Sequence, residues 1–180
     1  MSKSTVHLVA SKAEIKEHSR AAADKSSGRL ILVPVDFSEH SASALVQAAR
    51  FAEMMGAALT VLHVVHDPGE MPGYYSKLVK KKRATRIQDI AAEAFEQFVD
   101  NVIEANADHE ALHQAEKLMV KGLPVTRILE VAKYVDPIMV VMGSQGRTGL
   151  KHLVMGSKAA QIVQLCPLPV TIVKKPADKS

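Results

Sequence analysis

Four runs in this chain are apolar almost without a break and rich in β-branched side chains. They are Leu30-Ile31-Leu32-Val33, Leu59-Thr60-Val61-Leu62-His63-Val64-Val65, Ile138-Met139-Val140-Val141-Met142 and Val170-Thr171-Ile172-Val173. A strand with one wet face alternates apolar and polar residues. A strand apolar on both faces is covered on both, the condition of a parallel sheet beneath helices. Lys117-Leu118-Met119-Val120-Lys121 is shorter and bracketed by lysines, as an edge strand would be. Helical stripes fill the intervals. Leu45, Ala48, Ala52 and Met55 share one face, with Ser38 as N-cap and Gly56 as stop. Ile87, Ala91, Ala94, Phe98 and Val102 make a second stripe. Pro124 suits a first helical position, and Val125, Ile128, Leu129 and Ala132 follow it before Asp136-Pro137. A last helix runs from about Ser157 to Leu165, with Ala159, Ile162 and Val163 inward. Strand and helix alternate, so the predicted class is α/β with a parallel sheet.

Size and composition allow one such domain. The 180 residues suffice for a single sizeable core, and a hydrophobic content of 47% excludes a disordered chain. One cysteine, Cys166, excludes an intramolecular disulfide and a cysteine zinc cage. No run reaches the length of a signal peptide or a membrane span, so a cytoplasmic protein with no membrane partner is expected. Residues 1–28 are small, polar and charged apart from Val6-His7-Leu8-Val9. They read as a flexible N-terminal extension or a loosely docked short helix, followed by a domain over 29–175 and a polar tail over 176–180. The net charge of +4 permits anionic ligands without demanding nucleic acid.

In open parallel sheets ligands bind beyond the carboxyl ends of the strands, where neighbouring connections leave in opposite directions. Two segments belong there: Pro34-Val35-Asp36-Phe37-Ser38 after the first strand, and Gly143-Ser144-Gln145-Gly146 after the fourth, with Gly156-Ser157 further on. Gly143 and Gly146 lack Cβ, so the backbone can take positive φ and come close to a ligand. Exposed N–H groups in such a turn form a nest for phosphate oxygens. Gly156-Ser157 would open the last helix, whose unpaired N–H groups also attract phosphate. The Ser157 hydroxyl adds a donor, and Arg147, between the two clusters in sequence, could reach a terminal phosphate. Two glycines alone would serve a tight turn equally well.

The full spacing, Gly143-x2-Gly146-x9-Gly156-Ser157, resembles the nucleotide-binding signature of universal stress proteins. The segment Val140-Val141-Met142-Gly143-Ser144-Gln145-Gly146-Arg147-Thr148-Gly149-Leu150 is similar to that family. So are Met155-Gly156-Ser157, Cys166-Pro167-Leu168-Pro169-Val170, the opening Ile31-Leu32-Val33-Pro34-Val35-Asp36-Phe37-Ser38, and Leu62-His63-Val64-Val65. The resemblance covers about residues 29–174. It implies a Rossmann-like, open five-stranded parallel sheet of order 3-2-1-4-5 with helices on both faces, and a homodimer, here through strand 170–173. It also implies bound ATP, with AMP or ADP as alternatives, and Mg2+ or Mn2+ as a possible bridge between phosphates. By that likeness Pro34 and Val64 frame the adenine, with the Val64 backbone on its edge, and Val35 and Asp36 follow beside the ribose or a metal-bridged group. Met142, Gly143, Ser144, Gln145, Gly146, Arg147 and Thr148, with Gly156, Ser157 and Lys158, wrap ribose and phosphates. Lys158 departs from the family, which often has a small or β-branched residue there. Gly122-Leu123-Pro124 departs too, lacking the Asp cap common in relatives.

Other candidates have structural explanations. His63 lies within a buried strand and reads as a satisfied core histidine. The other histidines (His7, His18, His40, His66, His109, His113 and His152) show no metal-ligand spacing. Cys166 at a helix end reads as a structural thiol. Lys77, Lys80, Lys81, Lys82, Arg83 and Arg86 form a basic run that usually marks a solvated face, and the scarcity of aromatics argues against nucleic-acid stacking. No Walker A, kinase or nucleophile-elbow motif is present, and no base for hydrolysis is evident. These absences favour a binding module over an efficient enzyme, and the resemblance implies an adenine-nucleotide-binding stress regulator. A slow metal-dependent ATPase and a nucleotide-free interaction module are the alternatives.

Overall fold

A computed structural model describes residues 6–8, 11, 13–17, 28–65, 81–146 and 155–175. The elements are β1 (His7–Leu8), a helical turn α1 (13–17), β2 (Leu30–Val35), α2 (Glu39–Met55), β3 (Ala58–Val65), α3 (Lys81–Ala105) and α4 (Glu110–His113). β4 (Glu116–Lys121), α5 (Pro124–Val135), β5 (Met139–Gly143), α6 (Ser157–Leu165) and β6 (Val170–Val173) complete them. The strands form one sheet in the order β1-β4-β3-β2-β5-β6, and all the pairings are parallel. Taken alone, β2 to β6 are the five-stranded 3-2-1-4-5 sheet.

The sixth strand corrects the reading of β4 as an edge. His7 and Leu8 pair with Leu118 and Met119, so β1 lies outside β4. The flanking lysine that suggested an edge has a different use. Lys117 is buried, and its Nζ lies 3.6 Å from Asp100 on α3. The Val6 N–H donates to Glu96 Oε1 at 3.3 Å, which ties the incoming chain to the same helix. Ile15 in α1 is 1% exposed and belongs to the core described next, so the extension is docked at both places.

Alternation along the strands divides the interior in two. Ile31, Val33, Val35, Leu59, Val61 and Val65 meet α2, α3 and α4 on one face. Leu30, Leu32, Leu62, Leu118, Val120, Val140 and Met142 meet α5, α6 and Ile15 on the other. Each such buried aliphatic side chain contributes about 1.5–3 kcal/mol relative to exposure. The helix caps are those the sequence indicates. Ser38 accepts from the Ser41 N–H at 3.2 Å, and Gly56 ends α2 at φ 60°. α5 begins at Pro124 with no side-chain cap, as Leu123 has no hydrogen-bonding group to offer.

Two helical stripes differ from expectation. In α3 the buried residues are Phe95, Val99 and Val102, while Ile87 is 38% exposed. Phe95 takes the inward position in place of Ala94 because its ring fills the space beside Phe37 and His63, with centroids 6.1 and 5.7 Å away. In α6 Ala159 and Ile162 are buried, but Val163 is 44% exposed.

Candidate functional site

β2 and β5 are neighbours whose crossovers leave to opposite faces, α2 to one and α6 to the other. That is the geometry of a switch-point crevice. The β2–β5 ladder registers Ile31 with Met139 and Leu32 with Val140 and goes no further, whereas β2 stays paired to β3 through Val35. The strands therefore part from residue 33 onward. Pro34, which has no N–H to give a ladder, stands in that stretch. Pro34, Val64 and Met142 share the pleat direction of Leu32, Leu62 and Val140, so they face the α5–α6 side. Val35 does not join them, because its side chain is buried in the opposite core. Only its backbone is available to the crevice.

The first turn after β2 is strained and braced. Phe37 has φ 66°, a left-handed conformation that costs an aromatic residue of order 1 kcal/mol or more. Its ring stacks on His63 with centroids 4.2 Å apart, and the His63 Nδ1–H donates to the Val35 carbonyl at 2.9 Å. Asp36 Oδ1 accepts from the Ser38 N–H at 3.2 Å and from the Ser38 hydroxyl at 2.6 Å. Together these hold Asp36 in one position.

The glycines are explained by approach distance. Gly143 and Gly146 do not take the positive φ that the sequence left open to them. A Cβ on Gly143 would lie 2.8 Å from the His40 carbonyl carbon and 2.9 Å from its oxygen. On Gly146 it would lie 2.6 Å from Asp36 Oδ2, and on Gly156 3.4 Å from the Ser144 carbonyl oxygen. The β5 strand end thus packs directly on the start of α2, and the loop runs beneath the Asp36 carboxylate.

Hydrogen-bond accounting narrows the expected nest. The Ser144 N–H donates to the Val173 carbonyl at 2.8 Å and the Gly156 N–H to the Ser144 carbonyl at 2.7 Å. Neither is open to an anion. Gly156 provides no side-chain cap to α6, so the first-turn N–H groups of that helix, beside Gly146, are the donors that lack an intrahelical acceptor. Ser157 and Lys158 are exposed there. Arg147 and Thr148 lie outside the described residues, as do Lys77 and Lys80 of the basic run. Sequence reasoning missed Ser38 as the brace of Asp36, and it missed His40, which touches Gly143 and Ser144. His40 and Gly143 stand 103 positions apart, so no local spacing signals the pair.

A separate groove of about 620 Å3 follows α2 and α3, lined in part by Phe37, Val46, Arg50, Phe98 and Asn101. None of Pro34, Asp36, Val64 and Gly143 to Gly146 lines it. Among the described residues no group of three or more His, Cys, Asp or Glu is placed to hold a metal ion, and no helix is long and apolar enough to cross a membrane.

The order of the sheet and its switch-point crevice define a doubly wound, parallel α/β domain. The chain belongs to the universal stress protein family, whose model matches residues 29–174. It is 31% identical over 157 residues to Universal stress protein YxiE of Bacillus subtilis, covering 80% of this chain and 97% of that one. The solved structure of the MJ0577 protein, a universal stress protein of Methanocaldococcus jannaschii, is 25% identical with a TM-score of 0.66, over 83% of this chain and 98% of that one. A universal stress protein from Archaeoglobus fulgidus in complex with dAMP is 26% identical with a TM-score of 0.55, over 81% and 98%.

Gly143→Ala is expected to destabilise the fold by about 1–3 kcal/mol, because the obstructing atoms are His40 backbone and cannot swing aside. Urea unfolding measures it. A Gly143→Ala protein as stable as wild type would contradict the close approach.

Proposed function

We propose that this universal stress protein binds an adenine nucleotide, ATP or AMP with ADP as an alternative, in the β2–β5 crevice. It would act as a nucleotide-dependent stress-response regulator or binding module in the cytoplasm. The observation that carries this reading is the cradle that a Cβ would fill: Gly146 passes beneath Asp36, and Gly156 docks the uncapped start of α6 on the same loop. The dAMP complex of the Archaeoglobus relative supports an adenine nucleotide as occupant.

In this reading Pro34 and Val64 frame the adenine, with the Val64 backbone reading its edge. Val35 contributes main chain only. The loop residues Met142, Gly143, Ser144, Gln145 and Gly146, with Arg147 and Thr148 beyond, enclose the ribose and phosphates. Gly146 and the first turn of α6, Ser157 and Lys158, supply the donors to phosphate. Asp36 beside a bare phosphate would repel it, so the carboxylate would face a ribose hydroxyl or help hold a Mg2+ or Mn2+ ion, which would offset the phosphate charge. Its Oδ1 already accepts two bonds from Ser38, which suits a fixed ligand contact better than a base that activates water. Binding is therefore favoured over slow ATP hydrolysis, and over a nucleotide-free interaction module.

Isothermal titration tests the reading. ATP and AMP should bind, GTP should bind about tenfold or more weakly for want of the edge contact, and Gly146→Val should abolish binding while circular dichroism shows it folded. Equal affinity for GTP, or unchanged affinity in folded Gly146→Val, would overturn it.

The same reading includes a homodimer through β6. β1 covers the far edge of the sheet, but β6 ends the other with all four residues only half-buried. On α6, just before it, Val163 and Leu165 are 44% and 60% exposed. An apolar open edge invites pairing, and the same strand of a second copy about a two-fold axis satisfies it. Light scattering should give a dimer for wild type at micromolar concentration and monomers or aggregates for Ile172→Pro, which removes a ladder donor. A monomeric wild type, or a dimer that survives the substitution, would contradict this edge as the interface.

A further inference from the structure

His40 stands at the second position of α2, where the phosphate-loop candidate, the start of the helix and the end of β6 meet. Its Nδ1 lies 3.1 Å from the Lys175 backbone N–H and 3.3 Å from the Ser144 hydroxyl. A backbone N–H can only donate, so Nδ1 holds the lone pair and the ring proton sits on Nε2. Both groups donate to that one nitrogen. Ser144 is 2% exposed, and its N–H continues to the Val173 carbonyl at 2.8 Å. The Lys175 side chain bridges back to Glu39, with Nζ to Oε2 at 2.8 Å. The His40 backbone closes the arrangement, since it is the surface against which Gly143 has no room for a Cβ.

We infer that His40 is a positioning residue for the nucleotide loop, and that through the shared acceptor Nδ1 it joins residues 143–146 to the chain leaving β6. The inference rests on the nucleotide reading above, which assigns the loop its ligand. A ligand that orders the loop then orders residues 173–175 as well, because Ser144 is bonded to Val173 directly and to Lys175 through one imidazole. The link runs from the candidate crevice to the end of the open edge strand over hydrogen bonds. Coupling of this kind is reciprocal: whatever fixes the end of β6 tightens the loop on its ligand by the same factor.

Amide hydrogen exchange with AMP as probe, beside titration of AMP on the same samples, tests the inference. In wild type, saturating AMP should slow exchange at Lys175 about tenfold, as an added hydrogen-bond constraint of ordinary strength does. His40→Ala should weaken AMP about tenfold and abolish the effect of AMP on the Lys175 amide. His40→Asn, whose Oδ1 replaces Nδ1 as acceptor, should restore both, while His40→Phe, which keeps a ring but no acceptor, should not. The wild-type measurement needs no variant, so it decides even if His40→Ala fails to fold. AMP bound with Lys175 exchange unchanged, or His40→Phe behaving as wild type, would overturn the role of His40 and leave the nucleotide reading standing. No AMP bound to wild type at all would overturn the nucleotide reading first and this inference with it.

Discussion

The contact on which the rest depends is the backbone-to-backbone approach of Gly143 to His40. A Cβ at Gly143 would sit within 2.9 Å of two His40 main-chain atoms, so the end of β5 and the start of α2 touch without a side chain between them. That approach sets the depth of the crevice. It puts Gly146 beneath Asp36, lets Ser144 extend the pairing to Val173, and leaves the Ser144 carbonyl to receive the Gly156 N–H at the start of α6. A larger residue at 143 would separate β5 from α2 and disturb each of these relations.

The opposite wall is held by a different device. Phe37 is kept in a left-handed conformation by a ring stack on His63 and by the two bonds that Ser38 gives Asp36. Strain of about 1–3 kcal/mol persists only where the surroundings over-determine it. Here they fix one carboxylate at the mouth of the crevice. Hydrogen bonds and close packing thus brace the described residues on both sides of the crevice.

Much of this was legible in the sequence, for identifiable reasons. Strands apolar on both faces announced a covered parallel sheet, and Ser38, Gly56 and Pro124 marked helix ends by local chemistry that tertiary packing did not override. What failed was non-local. A two-residue strand at His7–Leu8 carries too little pattern to be seen, so β4 read as an edge and buried Lys117 as its guard. Phe95 displaced Ala94 from the inward stripe because of rings on β3 and on the turn after β2. At the candidate site the sequence left positive φ open to Gly143 and Gly146, whereas the packing uses them for close approach to His40 and Asp36, and His40 was invisible because its partners are remote in sequence.

Where an adenine nucleotide sits decides between two places on the molecule. Among the described residues, the alternative to the β2–β5 crevice is the groove of about 620 Å3 along α2 and α3. Backbone amide shifts of isotope-labelled protein, followed as AMP is added, distinguish them residue by residue. The account predicts the largest changes at Val64, Gly146, Ser157 and Lys158, with Val46, Asn101 and Val102 unmoved. Saturable changes confined to Val46, Asn101 and Val102, with Gly146 and Ser157 still, would contradict it.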